Sequence, residues 1–192
     1  MKFTAEQKNE VKQAIETSGE QLFLKYGLQK VTIDDIVNGV RIGKGTFYVF
    51  FANKFDLFLE ISKRRQEKIF DQITDLPISP NKQVLQEVLL KAIKLFSTDD
   101  FLKMLDAPTK ELLQQKSSDK FIEIHNAFDQ TVLTKLNEFG LKPLVPNDVM
   151  IELMNVIFIY GIEVFSTQKD DRALRQLIDL VVSNELKGLS DE

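Results

Sequence analysis

Apolar residues recur along this chain at three- and four-residue intervals, the spacing that lines one face of an α-helix. No run of short alternating segments points to a sheet, so the expected fold is all-α, with about nine helices. A first helix is drawn from Ala5 to Tyr26, with Val11, Ile15, Ser18, Leu22 and Phe23 on one face and Gly27 as its stop. Thr32 then stands before Ile33, Asp34 and Asp35. Its hydroxyl caps a second helix while Asp35 reaches back to complete a capping box. Gly39 lies near the end of that short helix. After a turn through Val40 to Ile42, a third helix begins at Gly43 or Lys44 and runs to about Val49. Two short helices joined by a tight turn after a longer one form a helix-turn-helix.

Asn53 caps a long fourth helix whose apolar positions Phe55, Leu57, Phe58, Ile61, Ile69, Phe70 and Ile73 carry it to residue 74, before a break at Pro77–Pro80. Further helices are expected near 81–97, 99–105, 109–116 and 118–139, separated by Asp99–Asp100, Pro108 and Ser117–Ser118. Gly140 to Pro146 is another break. Helices at 147–167 and 171–187 follow, with Gly188 as a terminal cap. A chain of 192 residues accommodates a small three-helix helix-turn-helix domain, residues 1–53, and a larger helical domain, residues 54–192.

Composition narrows the chemistry. Cysteine is absent and His125 is the only histidine, which excludes disulfides and thiolate sites and nearly excludes a zinc site; neither a metal nor a cofactor is expected. No phosphate loop, nucleophile motif or histidine–carboxylate pair at a useful spacing is present, so an enzyme is not expected. No stretch approaches eighteen uncharged apolar residues and the start lacks the apolar core of a signal peptide, so a cytoplasmic protein without a membrane partner is expected. The net charge of −4 argues against a uniformly basic nucleic-acid binder. Its distribution matters more. Residues 1–56 carry eight Lys and Arg against seven Asp and Glu, and residues 57–192 carry seventeen against twenty-two. Arg41, Lys44 and Lys54 stand in a stretch with no acidic residue, a local positive surface on an acidic protein.

The motif then becomes specific. Ile15, Ser18–Gly19, Leu22–Phe23, Gly27, Thr32, Asp35–Ile36 and the run KGTFYVFFANKFDLF from Lys44 resemble, without gaps across residues 15–57, the DNA-binding domain of the TetR (tetracycline repressor) family. Residue chemistry agrees with the resemblance. Lys44 at the start of a short helix reaches a guanine edge or a phosphate, a base contact contributing about 1–3 kcal/mol of discrimination. Gly45 lets the backbone approach DNA closely. Thr46 offers a hydroxyl to phosphate or a methyl to thymine, Tyr48 and Lys54 are phosphate contacts, and the amides at Thr32 form an anion-binding helix N-terminus. Arg41 and Gly43 complete the expected DNA-contacting set, while Phe23, Ile36, Phe47 and Phe51 are assigned to the core.

The departures from the family pattern are Arg41 where a turn glycine is usual, Val40 for alanine, Gly43 for a capping serine, and Val49 for a histidine. Gly39 and Gly43 are expected to supply the backbone freedom of the missing glycine.

For the larger domain the resemblance implies a small-molecule effector site and a homodimer. Phe96, Phe101, Met104, Leu105, His125, Phe128, Met154 and Phe158 are candidates to line a pocket for an apolar effector, although such residues also make ordinary core. The segment VMIELMNVIFIYGIEVF is apolar on more than one face, which points to a partner surface. Ile157, Tyr160, Gly161, Val164, Leu174, Leu177, Ile178 and Val181 are assigned to it, with Gly161 permitting close approach of a neighbouring helix. The expected function is that of a regulator, a repressor released by its effector from palindromic double-stranded operator DNA. The competing expectation is a helical interaction adaptor that has lost DNA binding, which the departures at Val40, Arg41 and Val49 favour.

Overall fold

Local capping chemistry sets where this chain turns. The computed structural model describes residues 4–73 and 80–189; the expected break at Pro77 and the fourth helix's end at 74 lie outside the described residues. Among the described residues are nine α-helices: α1 (Ala5–Tyr26), α2 (Ile33–Val40), α3 (Lys44–Phe47), α4 (Lys54–Asp71), α5 (Lys82–Thr98), α6 (Ala107–Lys116), α7 (Ser118–Glu138), α8 (Asn147–Ser166) and α9 (Arg172–Glu185). Thr4 opens α1 and Thr32 opens α2, each in a full capping box with Gln7 and Asp35. The Asn53 carboxamide oxygen accepts from the Phe55 and Asp56 amides at 2.8 and 2.9 Å, capping α4. Asp106 caps α6 through the Thr109 amide.

The structure differs from the sequence-based expectation at several places: the third helix ends at Phe47, short of Val49, and Pro108 lies in the first turn of α6 instead of before it. The helix expected at 99–105 is only a 3-10 turn, Leu102–Met104. A minimal sheet is also present: β1 (Lys142–Pro143) pairs antiparallel with β2 (Leu186–Lys187). Gly188 therefore follows a strand and does not cap α9. Its φ of +96° and the Gly140 carbonyl, which would lie 2.2 Å from an added Cβ, leave room only for glycine.

The helices form two compact units, Met1–Arg65 with Asp100–Ile124, and Gln66–Asp99 with His125–Glu192. In the first, Ile15 and Phe23 of α1, Ile36 and Val37 of α2, Phe47, Phe51, Leu57, Phe58 and Ile61 share one core with Phe101, Leu113 and Ile124. The Phe58 and Phe101 rings stack with centroids 4.7 Å apart, and Phe23 meets Phe58 edge-on at 5.5 Å. Gly19 makes this packing possible, since a Cβ there would meet Leu57 Cδ2 at 2.7 Å.

In the second unit, α5, α8 and α9 pack around Leu85, Ile93, Met150, Met154, Ile157, Leu174, Ile178 and Val182. Helix α8 is by length and composition alone apolar enough to cross a membrane. One of its faces enters this core, and Val149, Val156 and Ile159 stay exposed.

Candidate nucleic-acid interface

The turn between α2 and α3 orients everything that follows. Arg41 adopts the left-handed conformation, φ 59° and ψ 42°. Its amide donates to Asn38 O and that of Ile42 to Val37 O, the paired bonds of a Schellman motif. Glycine is the usual occupant of this position because a Cβ costs energy there. The expected compensation by Gly39 and Gly43 does not occur. Gly39 sits within α2, Gly43 is extended (φ −75°, ψ 149°), and Arg41 itself bears the strained dihedral. Gly39 serves packing instead: a Cβ there would lie 2.6 Å from Ser18 Oγ, which donates to Ile36 O at 3.1 Å and ties α1 to α2.

From this turn α3 emerges with one residue fully inside, one half-buried and two exposed. Phe47 is fully buried and Tyr48 is 52 % exposed, the two rings edge-on at 5.7 Å. Lys44 and Gly45 are exposed, Thr46 is half-buried, and Val49 is exposed. Nothing lies within 4 Å of a Cβ built at Gly43 or Gly45, and neither has a positive φ. No contact within the chain requires glycine at either position.

Three expected anion contacts already have partners. The Lys44 ammonium donates to Asp34 Oδ2 at 3.0 Å, and that bond holds its pKa above the ordinary lysine value. Lys54 donates to the carbonyls of Gln29 and Val31 at 2.9 and 2.7 Å. Burial pushes its pKa down, against the attraction of Asp35. Lys54 thus fastens the start of α4 to the loop before α2. At Thr32 both the amide (2.8 Å) and the hydroxyl (2.6 Å) donate to Asp35 Oδ2, so the Thr32 amide is bonded to the helix's own carboxylate. Of the expected set, Arg41, Gly43, Lys44, Gly45 and Tyr48 are exposed and Thr46 is half-buried.

Sequence reasoning missed the polar tie between α1 and α4. Arg64 donates to Glu16 at 2.9 Å and also pairs with Glu20, which pairs with Arg65, so two turns of α1 are clamped to α4. The partners lie 44 to 48 residues apart in the chain, beyond any local pattern.

The eight residues read as an effector pocket divide. Met154 and Phe158 line an apolar cavity of about 60 Å³ in the second unit, with Phe70, Leu85, Leu89 and Leu136 among the other walls. Phe96 and Phe128 belong to the adjoining cluster of rings with Phe70 and Phe158. Phe101 lies in the first unit's core with Met104 and Leu105 partly buried against it, and His125 is exposed beside Asp129 at 3.7 Å.

The set assigned to a partner surface is turned inward for the most part. Ile157, Val164, Leu174, Ile178 and Val181 are buried within this chain, and Tyr160 and Leu177 are half-buried. A Cβ at Gly161 would meet Ile93 Cγ2 at 2.5 Å, so the close approach that glycine permits is to α5 of the same chain. The apolar side chains these helices expose are Val149, Val156, Ile159 and Leu180.

Residues 17–61 match the family model for bacterial regulatory proteins of the tetR family. A curated relative, the HTH-type transcriptional repressor BepR of Brucella suis biovar 1, is 29 % identical over 103 residues, 52 % of this chain and 49 % of that protein. The match thus spans about half the length of that relative. Two solved structures share the fold. The TetR-family repressor AlkX from a Dietzia strain is 17 % identical at a TM-score of 0.58, covering 90 % of this chain and 93 % of its own. FadR of Bacillus subtilis, solved with stearoyl-CoA, is 18 % identical at a TM-score of 0.54, covering 90 % and 97 %.

Proposed function

We propose, from the premise that this chain belongs to the tetR family of bacterial regulatory proteins through its residues 17–61, that it is a sequence-specific DNA-binding transcriptional regulator acting as a repressor. One observation carries the reading. Helix α3 fully buries a single side chain, Phe47, and leaves Lys44 and Gly45 exposed and Thr46 half-buried, with Tyr48 exposed at its end and a glycine no internal contact requires. A short helix of that kind fits the major groove: Lys44 meets a base edge, Thr46 and Tyr48 meet backbone or thymine methyl, and Gly45 lets the helix come close.

The working form is a cytoplasmic homodimer. Val156, Ile159 and Leu180, with half-buried Tyr160 and Leu177, are the apolar surface a second copy covers. Two α3 helices then meet half-sites of a palindrome about 34–36 Å apart, one turn of DNA. The effector enters the apolar cavity at Met154 and Phe158. At about 60 Å³ the cavity is smaller than the roughly 150 Å³ that admits benzene, so an effector must push its walls apart. Phe70 is one of those walls and lies on α4, the helix whose first residue, Lys54, is bonded to the loop before α2. An effector acts through this helix only to the extent that it binds the two states differently; a near-complete switch requires about 5.5 kcal/mol of difference.

The test is selection of tight binders from random duplexes by fluorescence anisotropy, repeated with Lys44→Ala and Tyr48→Ala. Enrichment of a palindrome that both variants fail to bind is the expected result. A folded, dimeric protein that enriches no sequence would instead be an interaction adaptor.

A further inference from the structure

The recognition helix carries one cation that reaches past its own backbone, and that cation is not presented bare. Lys44 Nζ lies 3.0 Å from Asp34 Oδ2, with the lysine side chain 50 % and the aspartate 63 % exposed. Asp34 is in the first turn of α2, ten residues earlier in the chain, and the α2–α3 turn brings it over the start of α3. Its carboxylate makes no other bond among the described residues, and the capping of α2 is performed by its neighbour Asp35. Asp34 is therefore not needed as a cap. It is a second carboxylate placed on the surface that turns toward a polyanion, where a charge of that sign opposes binding.

We propose that Asp34 is a specificity-determining residue, which withholds Lys44 from indiscriminate phosphate contact so that the lysine yields full affinity only where a base edge replaces the carboxylate. This rests on the DNA-binding reading above. The physical argument is one of charge balance. Binding to arbitrary DNA comes almost wholly from cations neutralising phosphates and releasing counterions. A lysine that arrives with its own anion neutralises no phosphate on balance, and one that leaves the anion behind must break a hydrogen-bonded pair. A guanine edge, with two acceptors at fixed positions, offers Lys44 a directed replacement that a single phosphate oxygen does not. The raised pKa of Lys44 fits the same arrangement, since Asp34 stabilises its charged form.

The experiment compares wild type, Asp34→Asn and Asp34→Ser on two labelled duplexes of equal length, the selected palindrome and a random sequence, between about 50 and 200 mM salt. Thermal melting verifies folding. The expected result is that both variants bind the random duplex on the order of three- to tenfold more tightly, with a log–log salt slope steeper by up to about 0.9 for each α3. The ratio of selected to random affinity shrinks accordingly, and in a Lys44→Ala background the Asp34 substitutions lose most of this effect. Unchanged affinities and slope, or equal weakening on both duplexes, would overturn the proposal while leaving the regulator reading intact. Failure of the wild type to select any sequence would remove both.

Discussion

Under the proposed function, folding and DNA binding make opposite demands at Gly45, and Gly45→Ala separates them. The residue lies in helix α3 with an ordinary negative φ, and no atom lies within 4 Å of the Cβ the substitution would add. Nothing in the chain resists the methyl group. Alanine at a helical position is more stable than glycine by roughly 0.5–1 kcal/mol, chiefly because the unfolded chain has less freedom to lose. Helix α3 has only four residues, so the lower end of that range is expected. For a unit of this size, about 0.5 kcal/mol corresponds to a rise in Tm of roughly 2–4 °C. In the proposed complex with DNA the same methyl stands where the helix backbone comes close. Loss of that approach is expected to cost about 1.4 kcal/mol or more, a tenfold weakening. Calorimetric melting and anisotropy on the selected palindrome measure the two effects on one preparation. A variant that melts higher and binds as well as wild type would refute the argument that this glycine exists for an external surface. A variant that melts several degrees lower would refute the packing argument instead.

The remaining predictions concern the turn, the helix interface and acid stability. Arg41→Gly relieves the left-handed strain and is expected to raise the urea midpoint by the equivalent of about 0.5–1 kcal/mol; a lower midpoint would show that the residue at 41 is not left-handed. Gly161→Ala should destabilise by about 1–3 kcal/mol through its clash with Ile93, measured by urea unfolding. Unchanged stability with weakened dimerisation in ultracentrifugation would place Gly161 against a partner. The Asp35 pKa is lowered by the Thr32 hydroxyl and amide, so its contribution is fully present above the unfolded value of about 3.9 and is lost as pH falls through the lower folded value. The fall in Tm below pH 4 should therefore be shallower in Asp35→Asn than in wild type, and parallel curves would count against the capping box.

Much of the first unit could be read from sequence because its signals are local. Thr32 with Asp35, Gly27 after Tyr26 and Asn53 before α4 each act within four residues, and the structure uses them as caps. Arg41 shows the limit of such reading. A left-handed residue that is not glycine leaves no compositional trace, so the missing glycine suggested compensation nearby where the backbone simply bears the strain. Lys54 was legible as a cation but not as one bonded to Gln29 and Val31, because the loop carbonyls it meets are set by tertiary packing. In α8 the difficulty was of another kind. With apolar residues on several faces, periodicity shows that more than one face is covered but not which face meets this chain's own core. Ile157 and Val164 turn inward while Val156 and Ile159 do not. The pairing of β1 with β2 is two residues long and joins segments more than forty residues apart, too short for alternation to register.

The order in which the first unit's parts are synthesised has a consequence of its own. Its core is assembled from two stretches of chain, and Phe101, Leu113 and Ile124 reach it only after the α1–α4 segment has been made. On a ribosome adding about 5–20 residues per second, the chain from residue 65 to residue 124 takes roughly three to twelve seconds to appear. For the first part of that interval, until Phe101 is made, Phe23 and Phe58 lack the ring that packs on them in the finished protein. The helix-turn-helix thus emerges as an unfinished object with an exposed aromatic face, and its completion awaits a segment encoded far downstream. A nascent chain arrested before residue 100 should accordingly be far more protease-sensitive in α1 and α4 than one arrested well past residue 124.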